Sequence, residues 1–94
     1  MAEFLVELFV SREDGGAVRR GGEHARLAAE QLTREGTPVR YVRSIFVPED
    51  ETCFFLYEAA NADDVIEAGR RASLRFERVA EAVAPARAED YGCS

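Results

Sequence analysis

Three side chains in this sequence could do metal or acid–base chemistry: the thiol of Cys53, the carboxylate of Glu7 and the imidazole of His24. Cys53 opens the apolar run "CFFLYEA", directly after the acidic turn "PEDE" of Pro48 to Glu51. Glu7 stands between Leu5 and Phe9 inside "AEFLVELFV", where a carboxylate is costly to bury without a cation or hydrogen-bond donors. Arg43 is a candidate ion-pair partner for it. The sharper reading has Glu7 and Cys53 projecting into one cleft, offering mixed oxygen and sulfur ligands to a divalent transition metal. Cys53 can equally be a small hydrophobe in a core, since free cysteine is among the most buried residue types.

His24 is the only histidine and follows Glu23 at the edge of a helical apolar stripe. As a ligand it needs donors from elsewhere in the fold or from a second chain. No HxxxH, CxxC or HExxH spacing is present, so no closed zinc site arises from one local motif. The "PEDE" acids lack the spacing and glycine of a calcium loop and read as a solvated turn. There is no phosphate loop and no GxGxxG. Arg70 and Arg71 fall at the end of a helix, where the macrodipole favours cations, and read as surface or dimer-rim residues.

The elements that must position these groups follow from periodicity. Glu3–Val10 is apolar on both faces, with Phe4, Val6 and Leu8 on one side and Leu5 and Phe9 beside Glu7 on the other, as in a strand buried on both sides. After "SREDGG", residues Val18, Gly22, Ala25, Ala29 and Leu32 recur at helical spacing, and Gly36 and Pro38 end the helix. The Gly21-Gly22 pair costs about 1 kcal/mol per glycine in a helix interior, which predicts a late start or a kink there. "VRYVRSIFV" and "ETCFFLYEA", joined by Pro48-Glu49-Asp50, form a hairpin. Asn61 or Asp63 caps a second helix with Val65, Ile66, Gly69 and Ala72 or Ser73 inward. "RFERVAEAV", Arg75 to Val83, reads as a last strand, though its alanine and glutamate content also permits a helix.

The order β-α-β-β-α-β predicts an α+β, ferredoxin-like fold: a four-stranded antiparallel sheet with both helices on one face. Residues 1–83 form this domain, and 84–94 are expected to be a flexible tail. The helices can cover one sheet face only, yet the central strands carry large apolar groups on both. A second copy of the chain is therefore expected on the helix-free face, as a face-to-face homodimer. In the phase chosen from the sequence, Phe4, Val6, Leu8, Phe54 and Leu56 face the helices. Leu5, Glu7, Phe9, Cys53, Phe55 and Tyr57 then face the second copy.

Composition narrows the partners. The 94 residues carry 12 basic and 18 acidic side chains, a net charge of −6, and so lack the broad cationic surface that binds nucleic acid or anionic membrane. All the basic residues are arginine, a usage we read as codon bias. A domain of this size buries only about 60–65% of its unfolded surface, so oligomerisation helps. The apolar N-terminus carries Glu3 and Glu7, has no basic leader and is too short to span a bilayer, which leads to the expectation of a cytoplasmic protein. Cys53 and Cys93 do not suggest a disulfide framework.

The chain resembles a family of small bacterial ferredoxin-like proteins, first catalogued as a domain of unknown function, some of which are described as nickel-binding. The resemblance spans Glu3 to Val83 and is carried by "AEFLVELFV", "VRSIFVPEDETCFFLYEA" and "ADDVIEAGRRASLRFERV". Many relatives carry their third-strand cysteine at the position of Phe55, two residues beyond Cys53, and a second-helix histidine at the position of Ala68. The resemblance implies a nickel-binding homodimer that sequesters or buffers the metal without turnover, with Cys53, Glu7 and His24 as candidate ligands. Nickel accepts His, Cys and carboxylate donors and competes well against iron and manganese. Two other functions fit the fold by analogy alone. One is a small-molecule isomerase or cofactor-free monooxygenase using Tyr41, Tyr57, His24 and Glu7 in a sheet–helix pocket; the other is a metabolite-binding regulatory module.

Overall fold

The computed structural model describes residues 1–83; the expected tail, 84–94, lies outside them. Seven elements follow in order: β1 (Ala2–Phe9), α1 (Gly15–Arg34), β2 (Val39–Val47), a 3₁₀ turn (Pro48–Asp50), β3 (Thr52–Ala59), α2 (Ala62–Arg71) and β4 (Phe76–Ala82). The strands form one antiparallel sheet in the order β2-β3-β1-β4. This is the ferredoxin-like arrangement expected from the sequence, with β1 and β3 at the centre.

Local chemistry fixes the boundaries. Asn61, extended at φ −156°, caps α2 by accepting the Asp64 N–H at 3.0 Å. Asp63 and Asp64 in its first turn and Arg70 and Arg71 in its last complement the macrodipole. The helix then closes with Ser73 N–H donating to the Arg70 carbonyl and Leu74 N–H to the Gly69 carbonyl, the paired bonds of a Schellman end. At the start of β2, Thr33 Oγ1 donates to the Val39 carbonyl at 2.9 Å and accepts the Val39 N–H at 3.1 Å. That one hydroxyl satisfies both backbone groups of an edge-strand residue and ties the end of α1 to the sheet.

The core lies between the sheet and the helices. Phe4, Val6 and Leu8 of β1 meet Cys53, Phe55 and Tyr57 of β3, with Ala25, Ala29, Leu32, Val65 and Ala68 closing the layer from the helices. Here the structure corrects the sequence reading. The register pairs Leu8 with Cys53, Val6 with Phe55 and Phe4 with Tyr57, and directly paired antiparallel residues share a face. Cys53, Phe55 and Tyr57 therefore face the helices, while Phe54 and Leu56 face away. The β1 phase stands; the β3 phase is reversed, because both faces of β3 are apolar and alternation alone cannot choose between them. In α2, Val65, Ala68, Gly69 and Ala72 are buried, while Ile66 lies outside the core.

The glycine pair neither delays nor ends α1, which runs through it. Its reason is close packing. A Cβ on Gly21 would stand 3.0 Å from the Phe55 ring, and one on Gly22 would stand 2.8 Å from Tyr41 Oη. The Tyr41 ring is itself held edge-on to Phe55 and Tyr57, at centroid distances of 5.7 and 5.8 Å, so it has little room to retreat. The helix forgoes alanine's propensity so that aromatic rings of β2 and β3 can reach its backbone. Gly22→Ala is accordingly expected to destabilise the fold by about 1–3 kcal/mol despite the better helix former. Gly15→Ala, which meets open space, is expected to be neutral or stabilising by up to about 1 kcal/mol. Urea denaturation checks both, and equal midpoints for the two variants would contradict the packing account.

Candidate functional site

The phase of β3 decides what the thiol can do. Cys53 is fully buried on the helix side, opposite Leu8 on β1 and Phe46 on β2. Desolvation pushes the thiol up from an ordinary value of 9.0 to about 11, so the thiolate that attacks or binds metal is suppressed near neutral pH. Tyr57 lies in the same layer, fully buried, its hydroxyl without a hydrogen-bond partner. Burial, followed by the neighbouring Tyr41, raises the Tyr57 phenol; burial also raises Tyr41. Phe55 and Ala68 are buried in this layer too. A cleft of about 530 Å³ between α1 and β2 is lined by Tyr41 but not by Tyr57, His24 or Glu7.

Glu7 lies on the other side of the sheet. Its partner is Arg78, directly opposite on β4, whose Nε donates to Glu7 Oε1 at 3.2 Å. Arg43 does not fill that role. The sequence could not give this pairing, because the β1–β4 register shifts at a bulge between Glu7 and Leu8. Since Glu7 and Cys53 occupy opposite faces, the expectation that they share one cleft is overturned for a single chain.

The open face reads as four rows across the sheet. Arg40, Glu58, Glu3 and Ala82 form the first, and Arg43, Leu56, Leu5 and Ala80 the second. Ile45, Phe54, Glu7 and Arg78 form the third, and Val47, Thr52 and Phe9 the fourth. Leu5, Phe54 and Leu56 stand at its centre beside Glu7, and nearer its margins Phe9 is 62% and Ile45 43% exposed. Arg40 bridges Glu58 at 2.7 Å, whereas Glu3 and Arg43 have no ion pair among the described residues.

His24 belongs to a third region. It is exposed on α1 and lines a groove between α1 and α2. The acidic turn stays at the surface, as expected, with Glu49 and Asp50 exposed and Glu51 accepting the Arg12 N–H at 3.1 Å. Cys53, Glu7 and His24 thus occupy the core, the open sheet face and the helix layer, and are not brought together. Among the described residues, no group of three or more His, Cys, Asp or Glu side chains is placed to hold a metal ion. No helix among them is long and apolar enough to cross a membrane.

Comparison with known proteins adds a second line. A family model described as "Nickel responsive protein SCO4226-like" matches residues 12–82. The description names a response to nickel and no reaction. Among solved structures, SCO4226 from Streptomyces coelicolor A3(2) is similar with a TM-score of 0.68 and 17% identity, covering 90% of this chain and 100% of that one. At that identity the likeness establishes the fold. No curated protein sequence matches.

Burial of Cys53 has two measurable consequences. In a Cys93→Ser background, a thiol-specific reagent is expected to leave the native protein unmodified near neutral pH and to react once the chain is unfolded. The raised thiol also sets a sign for stability against pH. Above about 9.0 the unfolded chain loses a proton that the folded chain keeps until about 11, so stability falls across that window, by up to about 1.4 kcal/mol per pH unit. Rapid native labelling, or stability that rises through the window, would refute this placement.

Proposed function

The chain belongs to the SCO4226-like family of nickel responsive proteins, and from that premise we propose that it binds nickel as a homodimer in the cytoplasm, sequestering or buffering the ion without turnover. The observation that carries the dimer is the open sheet face. It is apolar at its centre, as a packed sheet–sheet interface requires. It also holds Glu3 and Arg43 without ion-pair partners among the described residues. An isologous two-fold contact sets this face against itself, so an unpaired cation of one copy can meet an unpaired anion of the other.

The same contact addresses the ligand problem. The described residues of one chain do not bring three donors together, and two-fold pairing doubles the carboxylates of the central strand. We assign Glu7 as the first nickel ligand, because it lies on that face and is accessible to a second copy. His24 is the second candidate: its imidazole is exposed and chemically suited to nickel, but it stands away from the open face. Cys53 comes last, since as a ligand it has to leave the core and lose a proton that burial holds up to about 11. The enzymatic alternative draws no support from the arrangement of its candidate groups, since Tyr57 lies in the core, Tyr41 beside one cleft, His24 in another and Glu7 on the open sheet face.

The test is metal analysis of untagged protein by plasma mass spectrometry, followed by calorimetric titration of the metal-free form with nickel, copper and zinc. Saturable nickel binding by a dimer is expected. Glu7→Gln should weaken it by at least roughly tenfold, about 1.4 kcal/mol, His24→Ala should weaken it less, and Cys53→Ala should leave it unchanged. Phe54→Glu, at the centre of the open face, is expected to halve the mass seen in sedimentation and to lower nickel affinity with it. A wild-type chain that is monomeric throughout, or that shows no saturable nickel binding, would overturn the proposal.

A further inference from the structure

We propose that the groove between α1 and α2 is a binding site for a small organic anion, a carboxylate or phosphate ester carrying an apolar body. The protein's net charge is −6, yet this groove of about 470 Å³ is lined by two guanidiniums, those of Arg34 and Arg71, and by no carboxylate. The contrast with the other clefts is direct. The cleft beside β2 mixes Arg26, Arg34 and Arg40 with Glu30, and the one at the end of the sheet is lined by Glu3, Glu58 and Glu81. Glu35 and Glu67 pair with Arg71 from outside the lining, so the cation that the groove leaves unpaired among the described residues is Arg34.

The two arginines differ in a way that suits recognition. Arg71 is held in place: its Nε donates to Glu67 at 3.0 Å and its Nη1 to Glu35 at 3.0 Å, and neither acid lines the groove. Its Nη2 makes no bond among the described residues. Arg34, in the last turn of α1, has no ion pair among the described residues, so its donor fork is available to a carboxylate or phosphate.

Three further polar groups line the groove, the His24 imidazole, the Gln31 amide and the Ser73 hydroxyl. Ser73 sits at φ 60°, in the left-handed region, at the helix-end position that normally takes glycine. A hydroxyl is therefore carried at a backbone position that favours its absence. Ala28 and Ala72 are buried beneath the groove, and Leu27 is half exposed beside them. That apolar floor fits a hydrocarbon or aromatic body, and the volume falls within the usual range for small-molecule sites. The groove lies in the helix layer, so a second copy on the open sheet face leaves it accessible. The inference does not rest on nickel binding.

The experiment uses the metal-free full chain with chelator present, followed by amide chemical shifts at constant ionic strength. The probes are phenyl phosphate, benzoate and inorganic phosphate. One saturable site per chain is expected for an organic probe, with shifts centred on Gln31, Arg34 and Ser73, and the ranking of the two organic probes identifies the head group. Inorganic phosphate should bind roughly tenfold more weakly, for want of an apolar body. Arg34→Gln should weaken the organic probe roughly tenfold or more, while Arg19→Gln, away from the groove, should not. Ser73→Gly should raise the melting temperature yet weaken the probe several-fold, a pairing that a purely structural serine does not produce. The proposal is overturned by the absence of saturable shifts, by unchanged affinity in Arg34→Gln, or by inorganic phosphate binding as tightly as the organic probes. Failure of nickel binding would leave it standing.

Discussion

A sheet has two faces, and this chain supplies helices for one of them. Everything on the helix side can be apolar and fully enclosed, so Cys53, Phe55 and Tyr57 pack there against Val6, Val65 and the alanines of α1 and α2. The side chains of those alanines, and the absent ones of Gly21 and Gly22, set how closely the helices approach. Small residues on the helices match large rings on the strands, and the aromatic contacts of Tyr41 depend on that match. The same enclosure raises the thiol and the phenols, because a charge there has neither water nor a counter-ion.

The uncovered face inherits the opposite problem. Leu5, Phe54 and Leu56 stand at its centre and ion pairs stand among and around them, Glu7 with Arg78 and Arg40 with Glu58. Each exposed pair is worth about 0–1 kcal/mol, too little to hold the sheet together. What they accomplish is spatial: they keep charges matched on a surface whose middle is apolar. The nickel reading draws on that face because it alone combines a central-strand carboxylate with a surface that a second copy can cover.

The helix layer has its own electrostatic order. Arg71 joins the end of α2 to Glu35 just past α1, while Glu67 one turn earlier holds the same guanidinium. These pairs tie the ends of the two helices together at the surface, and the groove between them is lined by Arg34, Arg71, Gln31, Ser73 and His24. The acids nearby, Glu35 and Glu67, are paired with Arg71 and do not line the groove.

How much of this could be read from the residues alone differs from strand to strand. In β1 the sequence sets the inward face, because Glu7 marks one side and Phe4, Val6 and Leu8 the other. In β3, Cys53, Phe55 and Tyr57 are as apolar as Phe54 and Leu56, so the choice falls to pairing with β1 and to the left-handed turn at Glu51, φ 51°, that starts the strand. The sequence by itself determined the order of elements, the caps, the fold, the buried stripe of α1 and the excess of apolar surface on the sheet. Only the tertiary structure decided which way the thiol points, that Glu7 meets Arg78 across a bulged register, and that Arg34, Arg71 and Ser73 converge on one groove. Periodicity and capping are local and are written within a few residues. Register and convergence depend on contacts between segments far apart in the chain, where a shift of one residue turns every side chain to the other face.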